Sequence, residues 1–268
     1  MTAYIKKTLL RLFPGLYYVL QRYVVRRNYN KKILAFQTAI AAKLYGTHPI
    51  EVLSGPFKGM QYINEVGAGL FTPKWLGSYE EELHSILYLA FKKNYAVILN
   101  VGAAEGYYAV GFAREFPDAA VFTFDVNPFT RRQAGKIAEI NHTANVTVGG
   151  RLTYKKLESL AVPGKTLMIC DIEGDEFLLL DPRKAPGLFK CDFLAEIHGF
   201  GGVPAPIVRS KIIALFQNTH HITEIRMATR DLIHYHRITE NKLPRNELMD
   251  ALNEHRGYPQ TWLWMEMK

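Results

Sequence analysis

Asn100-Val101-Gly102-Ala103-Ala104-Glu105-Gly106 closes the apolar run Ala96-Val97-Ile98-Leu99 and leads into a helical stretch over residues 105–115. A continuous apolar run of this length predicts a strand buried on both faces. The small residues after it let the backbone turn tightly and approach a ligand near a helix N-terminus. The next apolar strand, Ala120-Val121-Phe122-Thr123-Phe124, ends in Asp125, 19 residues after Gly106. An acid at that point can accept both hydroxyls of a ribose. Taken together, strand, turn, helix and acid predict a nucleotide-like cofactor on a Rossmann-like sheet, which a glycine-rich turn alone would not.

Outward from this unit the chain keeps alternating. A helix over 128–141 is opened by Asn127, with Pro128 at its first position. Strands are expected at 146–148, 167–170, 193–197, 222–227 and 261–267. Apolar strands alternating with helices predict an α/β fold with a mostly parallel sheet covered on both faces. Upstream, residues 49–66 read as a small β-hairpin around Gly55-Pro56. Ser78 with Glu81 reads as a capping box for a helix closed by Lys92-Lys93. The expected organisation is a basic amphipathic helical arm (1–46), a hairpin with a lead-in helix (47–94) and a Rossmann-like domain (95–268).

The 268-residue chain carries a formal charge of +8, unevenly spread. Residues 1–50 hold nine Lys or Arg and no acid, leaving 24 bases against 25 acids beyond them. The arm reads as short helices broken at Pro14-Gly15 and Arg27-Asn28. Lys7 and Arg11 share one face and Arg22 and Arg26 another, with Leu16, Val19, Leu20, Tyr23 and Val24 covering the remainder. No uncharged run reaches the roughly 18–20 residues of a membrane span, and Arg11 and Pro14 interrupt any signal-like stretch. Two readings stay open: the arm lies on an anionic membrane surface, or it packs on the main domain as a lid or in a homodimer contact. Two cysteines, Cys170 and Cys191, each inside an apolar run, read as buried inert thiols and exclude a disulfide framework. The expected location is cytoplasmic, with the arm able to hold the chain at the inner face of the membrane.

Small residues at Gly102, Ala104 and Gly106 alternate, unlike the nicotinamide fingerprint Gly-x-Gly-x-x-Gly. This alternation resembles the S-adenosylmethionine motif of class I methyltransferases, with Ala104 in place of the usual central glycine and Asn100 where an acid often stands. The last strand, Trp262-Leu263-Trp264-Met265-Glu266-Met267, resembles the antiparallel seventh strand of that fold. Asp171-Ile172-Glu173-Gly174-Asp175-Glu176, after the fourth strand, and the segment Asn100 to Tyr108 look like the FkbM-type methyltransferases, S-adenosylmethionine-dependent O-methyltransferases associated with glycan and natural-product pathways. The resemblance covers about residues 77–230. It implies a Rossmann-like class I methyltransferase fold, with a seven-stranded, mostly parallel sheet and an antiparallel last strand. On this basis the cofactor-binding candidates are Asn100, Gly102, Ala103, Ala104, Glu105, Gly106, Asp125, Asn127, Asp171 and Glu173.

Methyl transfer from a sulfonium needs an acceptor atom held in line and losing its proton as the bond forms. An Asn- or Asp-Pro-Pro-aromatic loop for amino acceptors is missing after the fourth strand, as is a Pro-Cys loop for cytosine C5, which leaves oxygen acceptors. Ligands of open α/β sheets bind at the carboxyl ends of strands. Asp171 and Glu173 stand at the end of the fourth, Glu196 and His198 at the end of the fifth, on one face of the extended chain. His198 is the candidate general base, with Asp171 and Glu196 beside it. The alternative for His198 is a loop hydrogen bond, and for Asp171 and Glu173 capping of the next helix. A metal-free site is the favoured reading, and the alternative is a divalent metal held by Asp171, Glu196 and His198. Tyr79, Glu80 and Glu82 could close over a ligand. His220, His221, His234 and His236 read as surface or loop residues, and Trp262 and Trp264 as sheet packing.

The expectation is an S-adenosylmethionine-dependent O-methyltransferase acting on a small-molecule or glycan acceptor, such as a sugar hydroxyl of a glycolipid precursor. Its rivals are an RNA or protein methyltransferase gripping an acidic partner through the arm, a catalytically inactive methyltransferase-like binding protein, and a dehydrogenase. Nucleic acid is the weaker partner, because the bases sit on the arm and not on the domain.

Overall fold

The computed structural model describes residues 13–67, 69–257 and 260–268, and of residues 14–26 the backbone. Helix α1 (Pro14–Tyr45) starts with proline at its first turn and ends at Gly46, whose φ is +61°. It runs unbroken through Arg27-Asn28, correcting the expected break there. Neither residue forbids helix, and one face of the second half is fixed by burial: Ile33, Gln37, Ile40 and Leu44 recur at helical spacing and are buried. Gln37 donates to the Glu65 carbonyl (3.0 Å) and accepts from the Phe71 amide (2.8 Å). The end of the helix is therefore packed on the domain. The expectations for Lys7, Arg11, Arg22, Arg26 and the apolar residues between them lie outside the described side chains. No helix among the described residues is long and apolar enough to cross a membrane.

The expected 49–66 hairpin is reduced to a single antiparallel bridge, Glu51 to Gln61, flanked by hydrogen bonds from the Tyr62 amide to the Ile50 carbonyl (2.8 Å) and from the Val52 amide to the Met60 carbonyl (2.9 Å). Its middle is a turn that buries Phe57 (2% exposed) against Phe91, Tyr107, Tyr108 and Phe112. A side chain at Gly111 would approach the Phe57 ring to 2.4 Å, so that glycine makes the room. Helix α2 (Thr72–Leu76) follows. The Ser78 capping box is also absent. Ser78 is buried with its hydroxyl on the Pro73 carbonyl, and Glu80 takes a left-handed φ of +48°. Helix α3 (His84–Ala90) forms only after a 3-10 turn at Glu81–Leu83.

The core of the fold is a seven-stranded sheet: β1 (Val97–Val101), β2 (Ala120–Phe124), β3 (Val146–Gly149), β4 (Thr166–Cys170), β5 (Asp192–Glu196), β6 (His220–Arg226) and β7 (Thr261–Met267). Their order is β3-β2-β1-β4-β5-β7-β6, with β7 antiparallel to both neighbours. This is a Rossmann-like, mostly parallel sheet with an antiparallel last strand, as expected. Helices α4 (Tyr107–Glu115), α5 (Pro128–Ile140), α6 (Tyr154–Leu160), α7 (Glu176–Leu179), α8 (Ala205–Phe216), α9 (Leu232–Ile238) and α10 (Arg245–Leu252) connect the strands. Alternation divides two cores. Ile98, Ile169, Trp262 and Trp264 join the core containing α4, while Leu99, Met168, Leu263 and Met265 join that containing α8. Trp262 and Trp264 are sheet packing, as expected. His220 corrects the reading as a surface residue: it is 2% exposed, its Nε2 2.8 Å from the Cys191 carbonyl.

Strand order reverses across β1 and β4, which opens a crevice at their carboxyl ends. Replacing Phe57 by alanine tests whether the 47–66 segment belongs to the core. Loss of about 3–5 kcal/mol is expected, measured by urea denaturation.

Candidate active site

The turn after β1 has its predicted tight geometry. Gly102, Ala104 and Gly106 all have positive φ, of +78°, +45° and +90°. At Gly102 the reason is contact: a Cβ there would fall 1.4 Å from the Asp171 carbonyl oxygen. The ends of β1 and β4 thus meet without room for a side chain. Ala104 holds a conformation that costs an L-residue roughly 1–2 kcal/mol. Its amide donates to Asp125 Oδ2 (2.8 Å), while Asp125 Oδ1 accepts from the Asn127 amide (2.7 Å). Two backbone donors therefore aim the Asp125 carboxylate and leave it accepting capacity toward a ligand.

A cavity of about 900 Å³ opens at these strand ends, lined by Gly102, Ala104, Asp125, Asp171, Glu173 and Glu196, among others. Asn100, Ala103, Glu105, Gly106 and Asn127 do not line it. Asn100 is a buried β1 residue, Gly106 starts α4, and Asn127 caps α5 through the Phe129 amide (3.0 Å). Glu105 is a correction with a clear cause. Its carboxylate is fully buried and committed to Lys74 and to the Tyr62 hydroxyl. Lys74 itself reaches the cavity wall and lies 4.6 Å from the Tyr79 ring centre.

At the ends of β4 and β5 the expected acids and histidine converge. His198 Nδ1 lies 3.0 Å from Glu176 Oε1 and 4.0 Å from Asp171 Oδ1; Nε2 lies 3.5 Å from Glu196 Oε1 and 3.6 Å from Glu173 Oε2. His198 is buried just behind the cavity wall rather than on it, and Asp171 and Glu196 present the surface. Neither Asp171 nor Glu173 caps α7. Instead Glu176, absent from the predicted set although it ends the quoted Asp171–Glu176 motif, accepts from the amides of Ile172 (2.9 Å) and Gly174 (3.1 Å). Burial pushes Asp171 up to about 7, helped by the Glu80 charge. Burial, then Asp171 and Glu80, push Glu196 up to about 10. Burial works against charge on His198, but the Glu176 hydrogen bond and the surrounding carboxylates outweigh it and raise its pKa.

Residues 254–257 and Gln260 close the cavity from the other side. Arg256 bonds Glu80 and Glu254, approaches Glu196 to 3.6 Å and lies 5.6 Å from the Tyr79 ring centre. Arg230 joins Glu82 (2.7 Å) to Glu254. Of the three residues expected to close over a ligand, Tyr79 lines the cavity, while Glu80 and Glu82 serve this network behind it. No sequence motif announced Arg256, which depends on a loop distant in sequence. Among the described residues, non-glycine positive φ values occur at Glu80, Ala104, Glu173 and His255, all in or against the cavity wall, and at three other residues. Strain of this kind persists where surrounding structure enforces it.

The fold and crevice define a Rossmann-like α/β chain with an open cavity at the carboxyl ends of β1, β4 and β5. No family model and no curated protein matches the sequence. Solved structures similar in fold include the O-methyltransferase TomG of Streptomyces achromogenes in complex with SAM, at 15% identity and TM-score 0.46, covering 71% of this chain and 81% of that one. An rRNA methylase from Streptococcus thermophilus matches at 10% identity and TM-score 0.44, covering 70% and 97%. The C-terminal domain of precorrin-6Y C5,15-methyltransferase from Rhodobacter capsulatus matches at 12% and 0.43, covering 68% and 86%.

Two substitutions probe the site's construction. Gly102→Ala should lower the thermal midpoint by at least several degrees or prevent folding, because β1 and β4 must separate. Lys74→Met should cost about 3–5 kcal/mol by stranding Glu105. The double variant Lys74→Met/Glu105→Gln should recover much of that loss in urea denaturation.

Proposed function

We propose that the chain is an S-adenosylmethionine-dependent O-methyltransferase of the FkbM type, acting on a hydroxyl of a carbohydrate-like acceptor. One observation carries this reading: a single cavity joins a backbone cradle with an aimed carboxylate, Gly102, Ala104 and Asp125, to an acid-lined end at Asp171 and Glu196. The residues present fit the cofactor. Asp125 keeps accepting capacity for ribose hydroxyls, and Gly102 and Ala104 let a ligand approach the backbone. The cavity lies within the usual range for small-molecule sites, roughly 300–1,000 Å³. When bound, the cofactor supplies an electrophilic methyl group on a sulfonium.

The rest is the work of this chain's own side chains. Asp171 and Glu196 accept hydrogen bonds from an acceptor hydroxyl, and its proton leaves toward the Asp171–Glu196–His198 cluster. Glu176 holds His198 in place behind it. The roof of residues 254–257 and Gln260 limits water at the acceptor end. The carboxyl groups of Asp171, Glu173 and Glu196 suit a neutral, hydroxyl-rich acceptor by offering it hydrogen bonds. The basic arm would add affinity for an anionic membrane surface where such acceptors are assembled.

The test is calorimetric titration with S-adenosylhomocysteine and, separately, NADH. Micromolar S-adenosylhomocysteine binding is expected, at least tenfold weaker in Asp125→Ala, with no heat from NADH. Binding of NADH alone would favour the dehydrogenase, and binding of neither would retire the enzyme reading.

A further inference from the structure

We propose that Asp171, Glu196 and His198 form a binding site for a divalent cation of the Mn²⁺ type at the acceptor end of the cavity. The use made of the cation rests on the methyltransferase reading; the site itself is argued from its donors. One donor atom from each of the three residues lies within 4.8 Å of the others. A second, independent observation is that Asp171 Oδ1, Glu196 Oε1 and His198 Nε2 are all buried without a hydrogen-bond partner among the described residues. The Glu196 and His198 side chains are only 2% and 5% exposed, so bulk water does not complete them. Buried polar groups are ordinarily paired, and orphan atoms on three residues grouped this closely mark a missing partner.

The imidazole is arranged to take a cationic partner. In the neutral tautomer that donates Nδ1–H to Glu176, the Nε2 lone pair faces Glu196 Oε1 and Glu173 Oε2 at 3.5 and 3.6 Å. A lone pair set against carboxylate oxygens is repulsive, and a cation among them turns the repulsion into ligation. Glu176 has the position of the outer carboxylate that orients a ligating histidine, and is itself fixed by the Ile172 and Gly174 amides. Arg256, the other cation nearby, stops 3.6 Å from Glu196 Oε1 and spends its hydrogen bonds on Glu80 and Glu254. Two carboxylates with one imidazole, and no thiolate, suit a cation of intermediate hardness. Asp171 and Glu196 line the cavity, so the cation would meet the acceptor hydroxyl and lower its pKa.

The test uses the full chain, stripped with EDTA and dialysed, and titrated with MnCl₂ while free Mn²⁺ is followed by electron paramagnetic resonance. One saturable site is expected, at least tenfold weaker in His198→Gln and in Asp171→Asn, and about 10–100-fold weaker in the positioning variant Glu176→Gln. Circular dichroism melts confirm that each variant is folded. Asp171, partly exposed at the cavity wall, supplies the decisive variant should the buried positions fail to fold. Absence of saturable Mn²⁺ binding, or binding that all folded variants retain, overturns the proposal and leaves a protonated His198 as the partner of the carboxylates. S-adenosylhomocysteine titrated into the same EDTA-treated samples separates the two failures. Its binding without Mn²⁺ binding removes the cation alone, and loss of both removes the methyltransferase reading as well.

Discussion

The carbonyl of Asp171 occupies the place where a side chain on Gly102 would stand. This contact between the ends of β1 and β4 is the constraint on which the rest of the site depends. It fixes the turn that presents the Ala104 amide to Asp125, and it starts the Asp171–Glu176 segment directly beside that turn. Because strand order reverses between β2-β1 and β4-β5, the helices that follow leave on opposite sides and the crevice stays open. A backbone cradle and an acid cluster thereby share one cavity, although Gly102 and Glu196 are far apart in sequence.

Holding so many carboxylates together requires compensation from segments outside the sheet. Lys74 in α2 neutralises Glu105, and Arg256 and Arg230 draw Glu80, Glu82 and Glu254 into one network. Buried charges left unpaired would be strongly destabilising. The network therefore ties the segment before the sheet to the roof before β7. The left-handed backbone at Glu80 and His255 lies within or beside this network, where charge pairing and packing can enforce it.

The alternation of strands and helices was legible in the sequence because buried parallel strands are continuous apolar runs, and so was the convergence of Asp171, Glu196 and His198 from adjacent strand ends. Local patterns failed where tertiary contacts outweighed them. Residues 49–66 have the apolar content of a hairpin, yet the space beside Gly111 takes Phe57 inward and the pairing is confined to one bridge and its flanking hydrogen bonds. Ser78 and Glu81 have capping-box spacing, but Ser78 is buried against α2 and Glu80 answers to Arg256. Glu105 belongs to a motif that suggests ligand contact, while its partner Lys74 is 31 residues away and invisible to a reading of neighbours. Glu176 was visible as an acid in a short motif, but its role required the fold to bring His198 to it.

Charge is separated along this chain, and the separation bears on what it can take as a substrate. The excess of bases belongs to residues 1–50, whereas the cavity's inner end is a group of carboxylates. The arm offers cations and the cavity's inner end offers hydrogen-bonding acids, so the two call for different chemistry. Under the proposed function, a polyhydroxyl acceptor displayed at an anionic surface would meet both, with its hydroxyls donating to acids and the surface charge meeting the arm. A cation held by Asp171, Glu196 and His198, as proposed, would offset the acids at the place where an alkoxide must form.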